Sequence, residues 1–130
     1  MKLASWLKSF LLYHSSSLAE LFSGWSALTW GLATLPAGIT PNGVFSSLEA
    51  GRVFALVAVF VGAEQILAVY LGSRLFRSWS AFHCGVAFFA TSIPYALAGR
   101  YPASTMALNM FLLNVCLHLQ NRGANGGSSG

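Results

Sequence analysis

From Val53 to Gly72 the chain runs for about 20 residues with one acid, Glu64, and no base, bounded by Arg52 and Arg74. A helix rises about 1.5 Å per residue, so this run matches the roughly 30 Å hydrocarbon core of a bilayer. A soluble domain would have to cover such a segment with polar groups. The composition does not supply them, since 55% of the 130 residues are hydrophobic and only 8% are charged. Soluble domains carry roughly a quarter charged residues. The chain therefore reads as one domain whose main solvent is lipid.

The same reading extends to both sides of this run. The expected fold is all-α: an integral membrane bundle of four transmembrane helices, with spans at about 18–35, 53–73, 79–97 and 103–119. Ser17 and Glu20, and again Ser46 and Glu49, have capping-box spacing and are expected to open the first two spans. Pro36, Gly38 and Pro41-Asn42-Gly43 punctuate the connection between them. Pro94 falls near the end of the third span, and Pro102 suits the first turn of the fourth. Before the spans, Leu3, Trp6, Leu7, Phe10 and Leu11 recur at helical spacing opposite Lys2, Ser5, Lys8 and Ser9. This short amphipathic segment can lie in the membrane interface or extend the first span. Residues 1–122 form the domain, and 123–130, rich in Gly, Ser and Asn, read as a disordered tail.

Lys and Arg set the orientation. With four spans, Lys2, Lys8, Arg74, Arg77 and Arg122 fall on one side, and Arg52 and Arg100 on the other. That bias puts both termini in the cytoplasm. The formal charge of +4 is spread thinly and lacks the clustered basic face that nucleic-acid binding needs.

Small residues mark faces where membrane helices approach closely: Ser23, Ala27 and Gly31 on the first span, Ala58 and Gly62 on the second. Glu64 lies mid-span, roughly 13 Å deep, with Gln65 beside it. Asn109 and Asn114 of the fourth span bracket that depth, so these four residues are expected to form an intramembrane polar layer. The layer reads as interhelical glue with a neutral Glu64, as the lining of a proton or ion path, or as a contact between copies. A second cluster, His83, Cys84, Cys116 and His118, falls at similar depth near the cytoplasmic face. Two His and two Cys are zinc-type ligands. Neighbouring helical positions point about 100° apart, however, so His83-Cys84 is poor chelating geometry and no metal is expected. The chain has no Asp, no phosphate-binding glycine loop and no nucleophile motif, so neither an enzyme nor a cofactor site is expected.

Leu18-Ala19-Glu20-Leu21, then Trp25 through Trp30-Gly31, then Tyr101-Pro102-Ala103-Ser104-Thr105 before the last span, resemble small four-span membrane proteins of tailed bacteriophages, some of them labelled holin-like. The resemblance covers the chain to about Arg122. It implies a bacterial inner-membrane location and leaves the activity open. The expected function is interaction with the host membrane or a host membrane protein. The alternatives are a holin-like, homo-oligomeric pore former and a small proton- or cation-coupled transporter using Glu64.

Overall fold

The computed structural model describes residues 2–37, 45 and 47–127, with side chains at 2–5, 17–35, 45, 47 and 49–122. Four helices account for nearly all of these residues: α1 (Lys2–Ala37), α2 (Leu48–Leu71), α3 (Arg74–Leu97) and α4 (Tyr101–Gly127). No strand occurs among the described residues. Among the described residues, three stretches are long and apolar enough to cross a membrane: Glu49–Leu71, Arg74–Leu97 and Tyr101–Arg122. α1 is longer, but its first half carries Lys2, Lys8, His14 and Ser15 to Ser17, with Glu20 just beyond.

Helix boundaries depart from the sequence reading in four places. α1 does not begin at a Ser17–Glu20 capping box. It passes through both residues without a break, because the spacing that suits a cap also puts two side chains on one helix face. Of the two alternatives for the amphipathic segment, lying apart in the interface or extending the first span, the structure has the second in that the helix is continuous through it. Residues 38–44, including the Pro41-Asn42-Gly43 cluster, lie outside the described residues. So does Ser46, and the N-cap of α2 is Ser47, whose hydroxyl accepts from the Ala50 N–H at 3.1 Å.

Between α2 and α3 only Gly72 and Ser73 intervene. Gly72 takes the left-handed conformation (φ 74°), which suits a residue without Cβ, and Ser73 caps α3. Arg74 and Arg77 therefore open α3 instead of closing α2. At the far end, Gly99 (φ 74°) and Arg100 donate to Ala96 O and Tyr95 O, a Schellman ending that turns the chain into α4. α4 then runs to Gly127, past the point where a disordered tail was expected. Asn121 is buried against α1 and holds that part of the helix to the bundle.

α1 and α2 form one antiparallel hairpin, α3 and α4 a second, and α2 lies against α3 to join them. α1 meets α4 over a shorter stretch, through polar side chains toward one end. Small residues build the contacts. A Cβ on Gly62 would sit 2.6 Å from both Gly24 O and Leu28 N, and one on Gly31 would sit 2.6 Å from Ala55 O. Ala27, Ala55, Ala58 and Ala68 are buried in the same region. In α3, Ser78, Gly85 and Ser92 are buried at seven-residue intervals, and in α4 so are Ala107, Asn114 and Asn121. A seven-residue repeat keeps one seam of each helix facing its partner.

The large apolar side chains point the other way. Phe60, Tyr70 and Leu97 are 73%, 86% and 85% exposed. A soluble bundle would bury such residues first, whereas a bundle in lipid leaves them outside and packs small residues within. Gly62→Ala is predicted to destabilise the bundle by about 1–3 kcal/mol in detergent unfolding titrations, since backbone atoms on α1 cannot move aside as a flexible side chain would. An unchanged midpoint would show that α1 and α2 are not in backbone contact there.

Candidate functional site

The interior holds polar groups in layers that tie helices together. In the middle layer each helix contributes one residue: Ser23, Gln65, Cys84 and Asn114, all fully buried. Gln65 Nε2 donates to Asn114 Oδ1 at 2.9 Å, and Asn114 Nδ2 donates to Ser23 Oγ at 2.7 Å and to the Met110 carbonyl at 2.8 Å. Ser23 Oγ lies 3.5 Å from Cys84 Sγ. Gly85 allows Asn114 this position, because a Cβ there would stand 3.1 Å from the Asn114 Cβ. Gln65 Oε1 is the one buried side-chain polar atom among the described residues without a partner.

A second layer lies toward the end where α3 begins. Glu20, fully buried, pairs with Arg77 at 2.6 Å and accepts from the Asn121 amide. Arg77 also donates to Ser17 Oγ at 3.1 Å. Ser78 and His118 clasp α3 to α4: His118 Nδ1 lies 2.8 Å from the Ser78 carbonyl, and Ser78 Oγ reaches the His118 carbonyl at 3.3 Å. Arg77 is in the first turn of α3, so about 27 Å of α1 precedes the level of this layer. At the opposite end, Trp30 Nε1 donates to the Tyr95 hydroxyl at 3.2 Å, and Phe45 packs among Trp30, Phe54 and Tyr95. There Ser104 Oγ donates to the Ser92 carbonyl at 2.9 Å.

The expected layer of Glu64, Gln65, Asn109 and Asn114 is corrected by this arrangement. Gln65 and Asn114 meet, while Glu64 and Asn109 face outward. Adjacent residues point about 100° apart, and residues five apart about 140°, so neither pair can share a face. Glu64 instead meets His83 of α3, with Nδ1 at 3.0 Å from Oε1 and side chains 28% and 47% exposed. The small residues Ser23, Ala27, Gly31, Ala58 and Gly62 all lie buried in the bundle.

The four weak metal candidates are scattered: His83 on Glu64, Cys84 in the core, Cys116 exposed, His118 on Ser78. No group of three or more metal-ligating side chains forms among the described residues. Sequence reasoning missed Glu20, Arg77 and Asn121 as one cluster. Glu20 had been assigned to a cap, and the contacts joining it to Arg77 and Asn121 span 57 and 101 residues of chain.

Beyond the Glu20–Asn121 and Ser23–Asn114 contacts, α1 and α4 part to leave a cleft of about 400 Å³ floored by α3, lined by Phe22, Trp30, Phe88, Met106, Asn109 and Met110 among others. No family model, no curated protein and no solved structure matches the chain.

Removing one partner of a buried ion pair strands the other. Arg77→Met is therefore predicted to destabilise the bundle by about 3–5 kcal/mol, and adding Glu20→Gln should recover much of that loss. Detergent unfolding of both variants checks this. Equal instability of the single and double variants would contradict the pairing.

Proposed function

We propose that the chain is a four-span protein of the bacterial inner membrane, with both termini cytoplasmic, that acts by lateral contact with a host membrane protein. One observation carries this reading. The inward polar side chains are committed to one another across helices, through Gln65–Asn114–Ser23 and Arg77–Glu20–Asn121, as interhelical glue rather than as the lining of a path. Large apolar side chains are left on the outside, available to lipid and to a partner.

α1 counts as a span on packing grounds. Gly24 meets Gly62, and Gly31 meets Ala55, across the middle of α2. α1 thus shares the depth of a helix that is itself long and apolar enough to cross a membrane. Arg74, Arg77 and Arg122 cluster at one end of the bundle, with Arg52 and Arg100 toward the other, which supports the cytoplasmic placement of both termini. The resemblance to phage membrane proteins supports a bacterial host. The Ser23-Ala27-Gly31 and Ala58-Gly62 faces pack within one chain, which speaks against their use in assembling a pore.

A second reading is favoured by the pairing of Glu64 with His83. An intramembrane acid beside a base is the arrangement a proton- or cation-coupled transporter would use.

Tagged full-length chain, expressed in bacterial cells and recovered from solubilised inner membranes, is expected to bring down one host membrane protein in fixed proportion. Growth and membrane potential are expected to stay intact. Abrupt depolarisation would contradict the reading in favour of a pore. Glu64→Gln is expected to leave partner capture unchanged. If it instead abolished an ion flux measured in proteoliposomes, the transporter reading would replace the binding one.

A further inference from the structure

We propose that the cleft between α1 and α4 is a self-association surface, in which Asn109 hydrogen-bonds to Asn109 of a second copy of the chain. The inference rests on the placement of α4 in the bilayer and is otherwise independent of any host partner.

The starting observation is a polar side chain with nothing to bind. Asn109 is exposed on α4, and no hydrogen bond to its carboxamide exists among the described residues, while Asn114 and Asn121 on the same helix are buried and bonded to α1 through Ser23 and Glu20. Asn109 lies about 12 Å along the helix from Tyr101 and about 20 Å from Arg122, close to mid-depth of the span. Water cannot serve the amide at that depth, and acyl chains have no donor or acceptor. An amide left in that medium without a partner costs on the order of several kcal/mol.

The surroundings say what can approach. Asn109 borders the cleft of about 400 Å³, whose other lining is largely apolar, with Phe22, Phe88, Met106 and Met110; its hydroxyls, of Ser26 and Tyr95, are bonded to the Phe22 carbonyl and the Trp30 indole. Phe22 and Met106, 62% and 70% exposed, flank the opening. A facing helix can enter because α1 and α4 leave this side of the bundle open. Lipid filling the cleft would satisfy the apolar walls and leave the amide orphaned.

The second copy is singled out by the chemistry of the group. A carboxamide carries both a donor and an acceptor, so two of them related by a two-fold axis satisfy each other with two reciprocal bonds. A two-fold interface brings the same patch of both copies together, which places Asn109 opposite itself when the axis passes near it. Met106, unbranched and adaptable, lies one turn away and can fill gaps in the paired clefts. The Glu64–His83 pair lies at the α2–α3 contact, away from this cleft, and its groups already hold one another.

The test uses purified full-length chain in lipid vesicles, labelled with donor and acceptor dyes, with energy transfer followed as protein is diluted into lipid. A reversible dimer is expected. Asn109→Leu should weaken it about tenfold or more, and Asn109→Gln, which keeps the donor and acceptor, should weaken it less. Met106→Trp, which crowds the cleft mouth and spares the amide, should also weaken it. Unfolding midpoints of all three variants should match the parent, because these side chains face out of the bundle. A chain monomeric at every dilution would overturn the proposal and leave the cleft to lipid. A dimer indifferent to both Asn109→Leu and Met106→Trp would overturn it in favour of another face. If purified chain stayed monomeric and Asn109→Leu abolished capture of a host protein, the amide would belong to that partner instead.

Discussion

The carboxamide of Asn114 is the joint on which the bundle turns. It accepts from Gln65 of α2, donates to Ser23 of α1, and rests against Gly85 of α3. In lipid there is no hydrophobic force that prefers helix over acyl chain, so close packing and interhelical hydrogen bonds must choose which helices meet and at what height. A shift of α4 by one turn would move Asn114 about 5.4 Å and break its bonds to both Gln65 and Ser23. The Glu20–Arg77–Asn121 cluster sets the same register a second time, nearer the cytoplasmic end in the proposed orientation. Two polar layers about a turn apart on α1 fix both the height and the rotation of the helices.

Small residues make these layers possible. Gly24 and Gly62 let α1 and α2 approach to backbone contact, and Ala27, Ala55 and Ala58 continue that seam. Short polar side chains such as Ser23 can then reach across without a long and flexible stem. The exterior follows from the same fact: once the seams are filled by Gly, Ala, Ser and Cys, Phe60, Tyr70 and Leu97 are left outside, where the proposed membrane setting gives them lipid or a partner to face. The two open features of this exterior differ in kind. Glu64 and His83 satisfy one another on the α2–α3 side, whereas Asn109 borders an unfilled cleft on the α1–α4 side.

Much of the architecture was legible in the sequence. The Val53–Gly72 run marked α2 to within a few residues, and Pro102 marked the first turn of α4. The small-residue faces could be read because spacing along a helix is a local property. What could not be read was pairing. Glu64 and Gln65 are equally polar and adjacent, and only the position of α4 decides that Gln65 faces inward. Glu20 looked like half of a capping box because its partners, Arg77 and Asn121, are remote in sequence. Asn109 and Asn114 looked alike, and their opposite fates follow from the angle between positions five apart on a helix.

The central claim is that Gln65 and Asn114 act as one unit in holding α2 to α4. A double-mutant cycle of Gln65→Leu and Asn114→Leu, read by detergent unfolding of the full chain, tests it directly. The account predicts a coupling of about 1 kcal/mol, above the roughly 0.5 kcal/mol scatter of independent sites. Strictly additive effects would mean that the two side chains do not meet, and the register of the bundle would have to be sought elsewhere.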